Sequence, residues 1–261
     1  ADQSDWRSSG RIGFSYDLTP ALSVRGSGYT GFRVPTLNEL HRPFRVRNDI
    51  TEANSDLRPE RLRGLEAGVQ YVPLHGVKLD ITWFSNWVHD AVANVTLAQE
   101  PGVFPVAGFV PPGGSLRQRQ NIERLRVDGL EVSAQLEFGH GFGTTLFYSY
   151  TDAQVKRAQS APSIEGNRLI QVPRHSGRWS FHQEMVNGLR WDAIMRFATR
   201  QFDDDLNSRV LDGYAAFDAR LSYAVNDGIE LYIAGENLTD TRIEAARSGD
   251  GLITRGTPLS I

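Results

Sequence analysis

The sequence predicts an all-β chain built as an antiparallel transmembrane β-barrel, and three observations carry that expectation. Apolar and polar side chains alternate with period two in about ten segments, which puts successive residues on opposite faces of a strand. Connections between these segments alternate between short turns and long loops, as in a barrel with periplasmic turns on one rim and extracellular loops on the other. No run approaches the ~20 apolar residues of a spanning helix, which removes helical membrane proteins and leaves strands that dilute their own hydropathy.

Taken in order, strands are expected over 10–18, 21–30, 62–72, around Leu79–Trp87, over Leu130–Phe138, 142–154 and 176–186, then over 189–201, Phe217–Val225 and 229–238. The alternation is cleanest in three of them. Leu79, Ile81, Trp83, Ser85 and Trp87 alternate with Lys78, Asp80, Thr82, Phe84 and Asn86; Leu130 to Phe138 and Phe217 to Val225 behave alike. The apolar faces would meet lipid and the polar faces would line a lumen. Short turns fall at Thr19–Pro20, Pro73–Gly76, Gly139–Gly143, Asn187–Gly188 and Asn226–Gly228, several with the Gly or Asn of tight hairpins. Long loops fall between them, at 33–58, 97–117, 155–173, 202–210 and 239–255. Strands of roughly ten or more residues suit a tilted crossing of a ~25 Å apolar band. Aromatics collect near strand ends: Trp83, Phe84 and Trp87; Phe147, Tyr148 and Tyr150; Trp179 and Phe181; Tyr214 and Phe217. They read as an interfacial girdle or as ordinary cross-strand packing, and the loop rhythm favours the girdle.

Composition narrows the function. The 261 residues include 28 basic and 31 acidic ones, a net charge of -3 without a large block of one sign, so no nucleic-acid footprint is present. The absence of cysteine removes disulfides and thiolate metal sites. The start, ADQSDWRSSG, has neither the basic nor the apolar region of a secretory signal.

Three motifs carry a family resemblance. Phe32-Arg33-Val34-Pro35-Thr36-Leu37-Asn38-Glu39-Leu40 is similar to the FRAPT-x-x-E-L segment of TonB-dependent outer-membrane receptors. Asn54-Ser55-Asp56-Leu57-Arg58-Pro59-Glu60 resembles the NPNL-K/R-PE motif that follows it, with Ser55 and Asp56 departing from the usual residues. Gly235-Glu236-Asn237-Leu238-Thr239-Asp240 resembles the family's G-x-ENL-x-D turn. Physically these residues read as scaffold: Pro35 and Pro59 fix φ where a strand leaves or re-enters the sheet, and Arg33 and Glu60 are placed to pair across neighbouring strands or to stand as a solvated surface pair.

The resemblance implies a 22-stranded barrel around an N-terminal plug, energised by the TonB complex through a segment near the N-terminus. The sequence has room for about 10–11 strands at ~12 residues each, so residues 1–261 are expected to be the C-terminal part of the barrel domain, without the plug and without the end of the final strand. A half-sheet with two open edges is not expected to insert in lipid by itself.

The expected role is an outer-membrane receptor of a Gram-negative bacterium, taking up a scarce nutrient through TonB. A ferric siderophore leads; haem or cobalamin are alternatives within the family, and a carbohydrate-binding β-sandwich is the alternative from another class. Expected partners are the TonB complex, outer-membrane lipid and lipopolysaccharide, and the ligand. None of the six histidines has metalloprotease or zinc-finger spacing, and no Gly-x-Ser-x-Gly occurs, so neither enzyme, metal nor cofactor is expected. Ligand-facing candidates are His41, Arg42, Phe44, Arg45 and Arg47, a basic stretch with an aromatic that suits an anionic ligand or lipopolysaccharide phosphates. Their charge could equally be compensated by Asp49, Glu52 and Asp56. His41 lies where haem receptors of the family offer an axial ligand. The trio Asp203-Asp204-Asp205 reads as an exposed loop tip or an oxygen-ligand cation site without an EF-hand pattern.

Overall fold

A computed structural model describes residues 7–185 and 187–261, and one antiparallel meander dominates it. Its strands are β1 (Gly10–Thr19), β2 (Leu22–Arg33), β3 (Glu60–Leu74), β4 (Val77–Ala98), β5 (Leu116–Glu137), β6 (Phe142–Arg157), β7 (His175–Glu184), β8 (Leu189–Ala198), β9 (Tyr214–Asn226) and β10 (Ile229–Gly235). Each pairs with its sequence neighbours, so strand order in the sheet follows the chain. A sandwich would divide these strands between two facing sheets, whereas here they share one. Residue 186, at the end of the strand expected over 176–186, lies outside the described residues, as do residues 1–6, the first part of the start that lacks signal features.

The hairpin turns lie at one end of the sheet and the long loops at the other, as expected. Gly76 and Gly188 both have φ of +81°, in the left-handed region that a Cβ disfavours, and this lets the chain reverse within so few residues.

Register sorts the side chains into two faces. On one, Tyr71, Leu79, Ala134 and Leu146 lie side by side, then Val69, Ile81, Val132 and Tyr148, then Ala67, Trp83, Leu130 and Tyr150. Many of these apolar groups are exposed, including Val69, Ile81 and Trp83, which is the surface a barrel turns to lipid. The other face is polar and cross-linked: Arg25 reaches Asp80 at 3.1 Å and Thr82 at 2.6 Å, Tyr29 donates to Glu66 at 2.9 Å, and Arg196 reaches Asp218 at 2.8 Å. Facing a water-filled lumen, such pairs keep their solvation. Of the expected girdle, Trp83, Trp87, Tyr148, Tyr150, Trp179, Phe181 and Phe217 share the lipid face, whereas Phe84, Phe147 and Tyr214 alternate onto the lumen face.

Several rings lie over a glycine directly opposite on the next strand. Phe14 covers Gly26, Tyr29 covers Gly64, Phe84 covers Gly129 and Phe197 covers Gly177. A Cβ at Gly64 would stand 2.3 Å from the Tyr29 ring and one at Gly129 would stand 2.2 Å from Phe84, so only the bare backbone admits the rings.

β4 and β5 are 22 residues each and outrun the alternation expected for them. Past Asp90, where φ is +56°, Ala91, Val95, Ile122 and Leu125 join Val155 of β6 and Ala158, Ala161 and Ile164 of the following loop in a buried cluster. This core lies toward the long-loop rim. The loops also contain short elements: a helix at Leu37–His41, a hairpin of Phe44–Val46 with Asp49–Glu52, and three further two-stranded hairpins. Asp49–Glu52 runs parallel to the start of β5, with Ile50 beside Leu116 and Glu52 beside Gln118.

Candidate functional site

The loop between β2 and β3 opens with a knot of motif residues. Arg33 grips Glu60 with two parallel bonds, Nε to Oε2 at 2.9 Å and Nη2 to Oε1 at 2.7 Å, so the pairing open from sequence forms across adjacent strands. Its remaining Nη1 reaches Glu39 at 2.9 Å. Glu39 also accepts from the Thr36 amide at 2.7 Å while its own amide donates to the Thr36 hydroxyl, a capping box at the start of Leu37–His41. Burial would raise the Glu39 carboxyl, but Arg33 and Thr36 outweigh it and hold it below the ordinary carboxylate range. Pro35 is buried and Phe32 is exposed on the lipid side of β2. Asn54 donates from its amide to the Glu39 carbonyl and from its side chain to the Arg119 carbonyl; Leu57 is buried, and Pro59 leads into β3. Glu60 additionally accepts from the Val92 amide at 2.7 Å, which ties β3 to β4.

His41, Arg42, Phe44, Arg45 and Arg47 follow the helix and are all exposed. Arg45 donates to the Phe109 carbonyl at 2.7 Å and Arg47 to the Thr254 hydroxyl at 3.2 Å, so both bond neutral oxygens of other loops. The Phe44 ring lies 4.9 Å from the Arg119 guanidinium. The structure therefore places these five residues on one outward stretch of chain.

Asp49, two residues on, is fixed. Its carboxylate accepts from Arg209 Nη1 at 2.8 Å, from Arg117 Nη2 at 3.1 Å, and from both the amide and the hydroxyl of Ser115. The Arg209 side chain is only 9% exposed and that of Asp49 15%. Desolvation pushes the carboxyl upward, yet Arg209, Ser115 and Arg117 prevail and keep it below the usual range. This clasp draws together the loops that follow β2, β4 and β8. The acidic trio belongs to the same region and is no exposed tip: Asp204 is buried and accepts from the Arg209 amide and Ser208, Asp205 accepts from Thr96, and Asp203 from Gln171 and the Arg247 amide. Each carboxylate is satisfied by protein donors, and among the described residues no group of three or more His, Asp or Glu is arranged to hold a metal.

Glu236, Asn237 and Leu238 close the meander. Asn237, 1% exposed with φ of +49°, receives a bond from the Thr241 amide and donates to the Thr241 and Thr257 carbonyls. Its own amide donates to Asp218 on β9 at 2.8 Å. Glu236 exchanges backbone bonds with Ser260, and the Leu238 amide donates to the Phe217 carbonyl.

The sequence pattern of the family described as TonB dependent receptor-like, beta-barrel matches residues 1–238. The chain belongs to that family. Its strands are therefore those of a Gram-negative outer-membrane receptor barrel. Among curated proteins it is similar to the iron-regulated outer membrane virulence protein of Vibrio cholerae, 24% identical over 90% of this chain and 36% of that protein. It is similar too to the vitamin B12 transporter BtuB of Photobacterium profundum, 23% identical over 88% of this chain and 33% of that one. The chain thus spans about a third of the length of the curated relatives it matches. The solved siderophore receptor PiuA of Acinetobacter baumannii shares the fold with a TM-score of 0.71 at 17% identity, over 95% of this chain and 34% of that one. In a TonB-dependent receptor the long-loop rim faces the outside, so the Asp49 clasp and the 41–47 stretch lie on the extracellular side.

Two features of this rim escaped the sequence. Glu39 carried a readable signal, Thr-x-x-Glu before a short helix. The bond between Asp49 and Arg209 spans 160 positions and left none.

Proposed function

We propose that residues 1–261 form the C-terminal part of the barrel of a receptor that takes up a ferric siderophore, with energy from the TonB complex delivered through a segment N-terminal to this chain. The observation that carries the reading is the exposed 41–47 stretch, where Arg45 and Arg47 bond only neutral oxygens and keep their positive charge for an incoming anion. A ferric siderophore bearing carboxylates or catecholates is anionic, and guanidinium donors with an aromatic face are suited to it. The relatives include both an iron-regulated outer-membrane protein and a vitamin B12 transporter, so the ligand is argued from the residues of the rim.

Arg42, Arg45 and Arg47 are proposed to make first contact with the anion, Phe44 to pack against its apolar parts, and His41 to border them. Haem is the second reading, with His41 as axial ligand. The test is quenching of tryptophan fluorescence in the purified full-length receptor by a panel of ferric catecholate, ferric hydroxamate and ferric carboxylate siderophores, haemin and cyanocobalamin. Saturable binding of one ferric siderophore, weakened about tenfold in the Arg42→Ala/Arg45→Ala/Arg47→Ala variant, is the expected result. Binding of cyanocobalamin or haemin alone would overturn it.

A further inference from the structure

The lipid-facing side of β3 to β6 carries two in-register rows just beyond the apolar band. The lower row reads Arg63, Trp87, Arg126 and Gln154, and the upper reads Arg61, His89, Arg124 and Arg157. Alternation assigns Arg61 and Arg63 to the same face as Leu65, Val69 and Tyr71, and Arg124 and Arg126 to that of Leu130 and Val132, so these guanidiniums stand on the outside of the wall. Their height follows from strand geometry. Roughly eleven residues separate Gly76 from Trp87, and at ~3.3 Å per residue with a tilt of about 40° this is about 28 Å from the short turns, the outer edge of a ~25 Å apolar band.

Too few carboxylates are available for the charge there. Asp90 binds Arg61 at 2.7 Å but is shared with Arg58 at 2.8 Å, and Asp128 binds Arg126 at 2.7 Å. Among the described residues no carboxylate pairs with Arg63 or Arg124, which line one recess with Trp87 and His89. The Arg126 guanidinium also lies 5.6 Å from the Trp87 ring centroid, which holds that indole at the boundary. At the level of lipid headgroups, unpaired guanidiniums are matched best by phosphate, which their planar donors bind bidentately.

We infer that this outer face of β3–β5 is a binding site for a phosphorylated glycolipid of the outer leaflet. Arg63 and Arg124 take a headgroup phosphate, Arg61 and Arg126 border it, and Trp87 packs at the start of the acyl chains. The site is separate from the 41–47 stretch and does not depend on which nutrient the receptor takes up.

Native mass spectrometry of the full-length receptor in nanodiscs tests it, with bisphosphorylated lipid A, the same lipid A stripped of phosphate, and phosphatidylglycerol as probes. Wild type is expected to retain bisphosphorylated lipid A in preference to both other lipids. Arg63→Ser/Arg124→Ser is expected to weaken that retention at least about tenfold, with Arg63→Lys/Arg124→Lys intermediate and Arg42→Ser/Arg45→Ser unchanged. Heat-dependent gel mobility shows that each variant is folded, and unchanged fluorescence quenching by the ligand panel separates this site from the nutrient site. Equal retention by wild type and the double serine variant, or equal binding of phosphate-free lipid A, overturns the site; equal binding of phosphatidylglycerol overturns the glycolipid assignment.

Discussion

The loop between β2 and β3 holds two adjoining stretches of opposite character. Residues 41–47 stand in solvent with the Arg45 and Arg47 guanidiniums on neutral oxygens, while Asp49 and Ile50, shortly after, are locked against Arg209, Arg117 and Leu116. The fixed part carries a carboxylate that several loops converge on; the free part carries cations that no carboxylate among the described residues pairs with directly. A rim that must hold its shape and still receive a charged guest divides the two duties along the chain, since a cation already paired inside the fold offers a newcomer little.

The largest expected effect comes from removing the centre of the clasp. Asp49→Ala leaves Arg209 and Arg117 without their shared anion in a mostly buried setting, at a local cost of ~3 kcal/mol. Hydrogen exchange should accelerate in residues 44–52 and 199–213 and stay slow in β7 to β9. In Asp49→Ala/Arg209→Ala the loss should fall short of the sum of the single losses, because Arg209 no longer remains as a buried charge without its partner and only Arg117 is left without the carboxylate.

Glu60→Gln should cost less, about 1 kcal/mol, because Arg33 is partly exposed and water replaces part of the fork. The loosened segment would be the Leu37–His41 helix, read as protease nicking there.

Acid should act on the clasp in the same sense and more gradually. Asp49, Glu39 and Glu244, the last a buried carboxylate in the loop after β10 that accepts from the Asp212 amide and Arg247, are all held below their ordinary carboxylate values in the fold. Their contribution is therefore complete above the unfolded pKa, about 4, and is lost as pH falls through the lower folded values. Loop protection, the exchange rate relative to the intrinsic rate at each pH, should be flat from pH 8 to about pH 5 and fall only below about pH 4; a fall already at pH 6 would point to a histidine instead.

The smallest effect on stability is expected in the free stretch. Arg45→Ala should change stability by less than about 0.5 kcal/mol while lowering ligand affinity, the reverse of Asp49→Ala. If Arg45→Ala loosened the rim as much as Asp49→Ala, the division between the two stretches would be wrong.

Legibility in the sequence followed the solvent. Where a strand has lipid on one side and water on the other, alternation is imposed residue by residue, and the lower halves of β4 and β5 were readable from Leu79 to Trp87 and from Leu130 on. Beyond Asp90 the same strands leave lipid and are covered by loop residues such as Ala161 and Ile164, so Ala91, Val95 and Ile122 follow packing instead of period. The Arg33 and Glu60 pairing was one of two readings open from the motifs, and strand register, which sets the two residues directly opposite, decides for it. The acidic trio was misjudged as a tip because Asp205 finds its partner at Thr96 on β4 and Asp203 at Gln171 and Arg247 of two other loops, distant positions that no local pattern links to it.

The rings laid over glycines have a consequence for assembly. A hairpin that slid by one residue would bring Tyr29 against Leu65 or Arg63 in place of Gly64, and Phe84 against Leu130 or Asp128 in place of Gly129, collisions that the correct alignment avoids. Each ring and its bare neighbour act as key and slot, so a long sheet laid down strand by strand is checked for alignment at several seams before its loops have met.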